Sequence, residues 1–276
     1  MIYAPDFFDF ESFLETLWNV FRVDRHSVEA KRWQSSELPQ HENFKMIEVN
    51  NISANIILKD NTTLEEWQRQ IKPNLPFADL AFEERVEGMP WNPGTAWQMW
   101  PWANKADEFR REGDRFSHSY AERYWPKEAG LHTDLELRRD VLEDSNLEGV
   151  RYPYGDLQDL VNLLKNDPLT RQGYLPVWFP EDTGVVHGER VPCTLGYHFL
   201  RRRDQLSVTY YIRSCDLYRH LRDDLYMTLR LLIWLKDQLE DPTLRLGTFT
   251  FNCINLHCFQ GDYQKLKSEM EEKSDG

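Results

Sequence analysis

Cysteine is scarce in this 276-residue chain: four residues, at 193, 215, 253 and 258, with no CxxC pair and no spacing that matches a zinc framework. A buried small hydrophobe is the ordinary role for such a residue, and only Cys193 has surroundings that argue for more. Long apolar runs are missing too. No segment approaches the ~18 consecutive apolar residues of a membrane span. The opening MIYAPDFFDFESFLETLW has neither a basic n-region nor a small-residue cleavage site, so a cytoplasmic protein is expected. Positive charge is in deficit, with 33 Lys and Arg against 46 Asp and Glu and a net charge of -13. That argues against a general nucleic-acid binder, whose hold on phosphate backbones needs net or clustered positive charge. A few arginines in a concave site can still bind one phosphate against such a field. Internal repeats and low-complexity linkers are absent. At this length one large domain or two small ones are both possible.

Aromatic residues are abundant instead, with ten Trp, twelve Tyr and fifteen Phe, which fits a packed globular protein. Residues 6–22 read as an amphipathic helix capped by Asp6, with Phe7, Phe10, Phe13, Leu14 and Leu17 on one stripe. Residues 46–58 read as one or two strands with a polar break, 63–72 as a helix behind a Thr cap, and 77–87 as a helix closed by Gly88. Residues 90–103 hold four Trp among three Pro and a Gly. Such a segment is irregular, and serves either as a hydrophobic lid or as an aromatic wall for a flat ligand. Residues 127–152 are highly charged and read as an exposed insertion. A helix follows at 155–165, then strands at 173–179, 193–201 and 205–213, a long helix at 218–238, a strand at 247–259 and a charged terminal helix. Long helices among hairpin strands predict an α+β fold with one main sheet.

Chemistry concentrates in residues 190–224, ERVPCTLGYHFLRRRDQLSVTYYIRSCDLYRHLRDD. Cys193 is a thiol, Arg213-Ser214 can clamp a phosphate, and Asp223 and Asp224 follow on a helix, where a carboxylate could read a nucleobase. Together they point to chemistry on a nucleotide.

Pro192-Cys193, then Arg213-Ser214-Cys215-Asp216, then a helix and GTFTFNCINLHCF, resembles the thymidylate synthase superfamily. Its members carry a Pro-Cys nucleophile, an R-S-x-D segment and a G-D-F-x-x-x-x-x-D-x-H-x-Y strand. Upstream, Asn166 to Gln172 resembles the family's N-P-x-x-R-R, VWFPEDT (177–183) its W-N-P-x-D, and FSHSYAERYW (116–125) its G-P-x-Y-G-x-x-W. The match is good over 116–263 and thin over 1–115, within one thymidylate synthase-like domain spanning 1–276.

The resemblance implies a mixed sheet with a long central helix, an obligate homodimer formed through the sheet, and folate-dependent one-carbon transfer to pyrimidine C5. The Cys193 thiolate would add at C6 of a pyrimidine nucleoside monophosphate, making C5 nucleophilic toward the carbon carried by 5,10-methylenetetrahydrofolate. Nearby arginines would lower the thiol's pKa. No metal is implied. Arg213 and Ser214 would hold the 5′-phosphate, joined by Arg171 from the partner subunit. His257 would contact the sugar, Asp216 the pterin, and Tyr120 would belong to a proton relay. The family's general acid/base glutamate lies about 36 residues before the matched tyrosine, which lands on Glu84, with Glu83 and Glu87 as alternatives. Plainer roles stand beside these: a helix N-cap for Asp216, the core for His257 and Tyr120, and a solvated surface for Arg171 and the glutamates.

Two departures refine the expectation. Synthases read P-C-H and place Asn eleven residues after the Arg of R-S-x-D, whereas this chain has Cys193-Thr194 and Asp224 at the Asn position. Both features are similar to the bacteriophage deoxycytidylate (dCMP) hydroxymethylases, as is the Leu221 to Asp224 run, and Ile212 replaces the synthases' Gln. Uracil offers an N3–H donor and an O4 acceptor, which suit an Asn amide. Cytosine offers an N3 acceptor and an N4 donor, which suit a carboxylic acid. A mismatch leaves buried polar groups unpaired at ~1–3 kcal/mol each. Hydroxymethylation of dCMP is therefore expected, in the host cytoplasm if the chain is phage-encoded. The alternatives are a CMP hydroxymethylase, a dCMP methyltransferase, a divergent thymidylate synthase, and an inactive nucleotide-binding relative, the last motivated by Gln172 and Phe259 in place of an Arg and a Tyr. A cysteine hydrolase using His187 or His198 is a further reading.

Overall fold

The computed structural model describes residues 4–33, 36–104, 110–112, 115–128, 155–185 and 190–272. Most of the charged 127–152 segment, and His187, lie outside them. In chain order, β1 (Asp6–Phe7), α1 (Phe10–Asp24) and β2 (His26–Val28) lead through a small hairpin, β3 (Arg32–Trp33) with β4 (Ser36–Glu37), into the long strand β5 (Met46–Ile57). Asp9 caps α1, not Asp6: its carboxylate accepts from the Ser12 amide at 2.7 Å. Residues 6 and 7 are instead drawn into parallel pairing with Asn55 and Ile56 of β5, a long-range contact that makes the helix start later, at Phe10. The polar break in β5 is a kink within one strand, where Asn51 takes φ 60°.

α2 (Leu64–Ile71) starts behind Thr63, whose hydroxyl accepts from the Glu66 amide. α3 (Phe77–Val86) runs to Gly88, which sits at φ 90°. The tryptophan segment is irregular apart from a 3-10 turn at Ala96–Met99. The hairpin β6 (Arg110–Glu112) with β7 (Arg115–Phe116) then precedes α4 (Tyr120–Tyr124). Reciprocal capping boxes open both α4, through Ser119 and Glu122, and α5 (Leu157–Asn166), through Asp156 and Asp159. The rest alternates sheet and helix: β8 (Tyr174–Pro176), β9 (Thr194–Arg202), β10 (Gln205–Ile212), β11 (Cys215–Asp216), α6 (Leu221–Gln238), β12 (Arg245–Phe259) and α7 (Gln260–Glu272).

Eight of the described strands form one mixed sheet, in the order β1-β5-β12-β10-β9-β8, with β2 beside β5 and β11 beside β12. β10 and β11 run parallel to β12, while β5–β12 and β9–β10 are antiparallel. Phe10 and Phe13 of α1 pack edge-on against Phe249 and Phe251 of β12. The long α6 buries Leu225, Leu229, Leu232 and Leu235 completely, each contributing ~1.5–3 kcal/mol by burial. Alternate positions of β12 face the other way. There Thr250 and Asn252 bond to Asn55 and Ser53 of β5, and Ile254 is exposed. The fold is the expected α+β arrangement, a mixed sheet with a long central helix.

Candidate active site

The sheet positions the thiol. Cys193 immediately precedes β9, and its carbonyl accepts from the Arg213 amide at 2.9 Å, so the β9–β10 register sets Arg213 beside it. The Arg213 side chain turns back across the same peptide: Nε donates to Pro192 O (2.9 Å), Nη2 to Val191 O (3.2 Å), and the guanidinium stacks near Trp178. One residue on, Ser214 Oγ lies 3.3 Å from His257 Nδ1. Parallel pairing of β11 with β12 then sets Asp216 opposite His257.

The first turn of α6 sends two carboxylates in different directions. Asp223 is buried and accepts from both the backbone (2.7 Å) and side-chain (2.9 Å) amides of Asn74, tying the α2–α3 connection to α6. Asp224 lines a cavity, and among the described residues its side chain receives one weak donor, the Cys215 thiol at 3.9 Å.

That cavity measures about 820 Å³. Cys193, Arg213, Ser214, Asp216, Asp224 and His257 line it from the sheet and α6. Glu84 and Tyr120 line it from the other side, on α3 and α4. Of the three candidate glutamates only Glu84 lines it: Glu83 is exposed near Arg230, and Glu87 accepts from the Trp91 indole. Oε1 of Glu84 is held by the amides of Thr95 and Ala96. Gly94 lies so close that a Cβ there would fall 2.2 Å from the carboxylate. Tyr120 touches Thr194, the residue after the thiol: its hydroxyl is 3.0 Å from Thr194 Oγ1, itself 3.0 Å from the Tyr210 hydroxyl.

Arg171 is exposed and does not line the cavity, and its carbonyl accepts from His198 Nε2 at 2.9 Å. That engagement also places His198 away from the thiol, which removes it as a hydrolase base. Phe259 is buried against Phe44 and Arg219, outside the cavity lining. The tryptophan segment both packs against α3 and lines the cavity. Trp100 packs with Phe77 and Trp102, and with Trp97 it also lines the cavity.

Two lining histidines were not singled out in the sequence. His118 stands edge-on to Tyr120, and His220 stacks on Trp100 at 5.0 Å between ring centroids. Burial lowers the pKa of both, His220 to about 3, so both are neutral. Their nearness to Tyr120 and to the Leu221–Asp224 run was the available signal.

The thiol departs from expectation. Arg213 and Arg190 pull the Cys193 pKa down, but burial outweighs them and the net shift is upward. Burial likewise raises Asp224 to about 7, against the attraction of Arg85, and Asp223 to about 6. His257 is lowered by burial, with Asp216 opposing. Asp216 is raised by burial. Oδ1 accepts from the Tyr218 and Arg219 amides at 2.9 Å and so holds the turn before α6, whose cap position is His220, not Asp216; among the described residues Oδ2 makes no hydrogen bond and lies 4.0 Å from Arg219 Nε.

Residues 89–275 match the family model for thymidylate synthase. A "Putative thymidylate synthase" from Methanococcoides burtonii is 25% identical over 144 residues, which is 48% of this chain and 64% of that protein. The chain thus spans less than two thirds of that relative's length. The thermostable thymidylate synthase A from Bacillus subtilis superposes with a TM-score of 0.62 over 95% of this chain and 84% of its own, at 16% identity. That is a likeness of fold.

Proposed function

Since the chain belongs to the thymidylate synthase family, we propose that it transfers one carbon from methylenetetrahydrofolate to C5 of dCMP, forming 5-hydroxymethyl-dCMP as the phage dCMP hydroxymethylases do. One observation carries this reading: Cys193 and Asp224 face the same cavity, with Arg213 and Ser214 beside the thiol. A carboxyl raised to about 7 is substantially protonated at neutral pH, the form complementary to cytosine.

In this scheme Arg213, through its remaining Nη1, and Ser214 hold the phosphate, and His257 meets the sugar. Cys193 sulfur bonds to C6, ionising only with substrate in place, because burial otherwise favours the neutral thiol. Glu84, fixed by two backbone amides, and Tyr120, fixed by Thr194, handle the proton leaving C5. The cavity suits a folate: Oδ2 of Asp216, which makes no hydrogen bond among the described residues, can accept from a pterin N–H, and Trp97 and Trp100 give flat apolar surface. When bound, the folate supplies a carbon at the oxidation level of formaldehyde. Water then completes a hydroxymethyl group, whereas hydride would complete a methyl.

Arg171, outside its own cavity, is assigned to the phosphate of a partner subunit, in a homodimer packed through the exposed face of the sheet. The whole chain is one domain in this reading. Labelled methylenetetrahydrofolate incubated in turn with dCMP, CMP and dUMP, with products identified by mass, tests the assignment. Hydroxymethyl-dCMP is expected. Reaction of dUMP alone overturns the role of Asp224, and methyl-dCMP or hydroxymethyl-CMP replaces the product or the sugar.

A further inference from the structure

Arg85 lines the cavity and has no task in the scheme above. It follows Glu84 on α3, its guanidinium carbon lies 4.1 Å from the centroid of the Tyr120 ring, and its carbonyl accepts from the Trp125 indole. Among the described residues no carboxylate forms an ion pair with it. A permanent positive charge in a half-buried wall is costly without a counter-ion. A preorganised charge of this kind is useful where negative charge develops during reaction.

Arg85 on α3 and Asp224 on α6 line the same cavity, their helices are joined by the Arg230–Asp79 ion pair, and the fields of both Asp224 and its neighbour Asp223 reach the guanidinium. The surroundings of Asp224 are otherwise hostile to ionisation: after burial, Asp223 on its own helix and Asp216 on β11 both oppose it, and Arg85 is the cation that favours it. Tyr120, Tyr197 and Tyr210 around them are neutral hydroxyls, each with its pKa raised by burial. The Cys215 thiol, the one donor to the Asp224 carboxyl, is neutral for the same reason.

We propose that Arg85 is a positioning residue, the counter-charge that lets Asp224 give up its proton as the cytosine ring is attacked. The proposal rests on the hydroxymethylase reading. In the step concerned, thiolate sulfur bonds to C6 and the C5=C6 π pair becomes a C4=C5 bond. The C4=N3 pair moves onto N3, which takes the proton from the Asp224 carboxyl. With the Cys193 S–H proton already released to water, the S–C6 and N3–H bonds form, the Asp224 O–H bond breaks, and a carboxylate is left in the cavity that Arg85 lines. Before the step the acid is neutral and Asp223, itself bonded to Asn74, is the carboxylate acting on the cation; after it Asp224 adds a second negative charge. Uracil needs no such transfer from an Asn, so the role belongs to the Asp-bearing chain.

The test is release of tritium from [5-³H]dCMP into water by the full-length protein with tetrahydrofolate present, alongside dCMP affinity by calorimetry. Arg85→Met should slow release ~30-fold, the scale on which one nearby charge biases a buried carboxyl, with affinity changed under about threefold. Arg85→Lys should recover most of the rate, since it keeps the charge. In an Asp224→Asn background assayed with [5-³H]dUMP, residue 224 has no proton to give, and the Arg85→Met loss should shrink to under about threefold. Equal losses in both backgrounds, or a loss confined to affinity, overturn the counter-charge role. If Arg85→Met does not fold, Arg85→Gln is read by the same criteria. Wild-type protein that releases tritium from neither dCMP nor dUMP removes the hydroxymethylase reading and this one with it. Normal wild-type release with unequal criteria unmet removes this one only.

Discussion

The two walls of the cavity are held in place by different physics. On one side Cys193, Arg213, Ser214, Asp216 and His257 sit on or beside adjacent strands, and the backbone ladders of β9, β10, β11 and β12 set their spacing. On the other side Glu84, Arg85, Trp100, His118 and Tyr120 come from α3, the tryptophan segment and α4, held by a few side-chain fasteners. Asn92 bonds to Glu122 at 2.7 Å and, in both directions, to the backbone of Phe116. Arg123 grips Asp182 with two bonds, at 2.8 and 3.0 Å. A ladder contains many redundant bonds, so one side chain can be replaced without moving its neighbours. A fastener has no such redundancy. Substitutions on the sheet wall should therefore act on chemistry, and those on the opposite wall on position and stability.

The largest expected effect lies on the sheet wall. Cys193→Ser should cut turnover by ~10⁴-fold or more, as loss of a covalent nucleophile does. Its thermal midpoint should stay at the wild-type value, because the Arg213 amide bonds to the carbonyl of residue 193 and not to its sulfur. Biological activity that survives this change would make the chain a silent nucleotide-binding relative, and the sheet wall a scaffold without chemistry.

The same division decides what could be read from the chain before its structure. Strand spacing converts sequence distance into spatial distance, so Cys193, Arg213, Ser214 and Asp216 were recognisable as one group, and they share the cavity. The opposite wall offered no such ruler. Counting landed on Glu84 but left Glu83 and Glu87 open, because which face of α3 meets the cavity depends on the tryptophan segment folding over it. Arg85 carried no local signal, and His118 and His220 only their nearness to Tyr120 and to the Leu221–Asp224 run, since most of their surroundings come from residues far away in the chain. The thiol shows the same limit. Nearby arginines were legible and burial was not, and burial outweighs them. At the N-terminus, pairing with β5 took Asp6 and Phe7 out of the helix, a contact no local pattern announces.

A test of the fasteners comes next in size. Arg123→Met leaves Asp182 buried, with the Phe179 amide (2.8 Å) as its remaining bond of those described. Breaking a buried pair from one side should lower unfolding free energy by ~3–5 kcal/mol, and removing both charges together by less. Denaturant unfolding of Arg123→Met and of the Arg123→Met/Asp182→Leu double variant measures both. If Arg123→Met unfolds like wild type, the loop wall has redundancy after all, and the contrast with the sheet wall loses its basis.

The smallest effect falls at the join between the walls, where Asp223 and Asp224 stand side by side. Burial pushes their carboxyls up to about 6 and about 7, above the ~3.9 of an unfolded chain. A native state that holds a proton more tightly than the unfolded one has that stabilisation in full below the unfolded value. It loses it as pH rises through the folded value. Asp224→Asn removes one such group without touching the fastener, because the bonds to Asn74 belong to Asp223. The variant's thermal midpoint should therefore gain on wild type between about pH 4 and about pH 7. Asp223→Asn should lose stability at every pH, since the two Asn74 donors meet different carboxylate oxygens and an amide would turn its NH2 toward one of them. A gap between Asp224→Asn and wild type that stays flat with pH would show that Asp224 carries an ordinary carboxyl. It would then be ionised at neutral pH, and the case for a protonated acid reading cytosine would have to rest on the substrate itself carrying the proton.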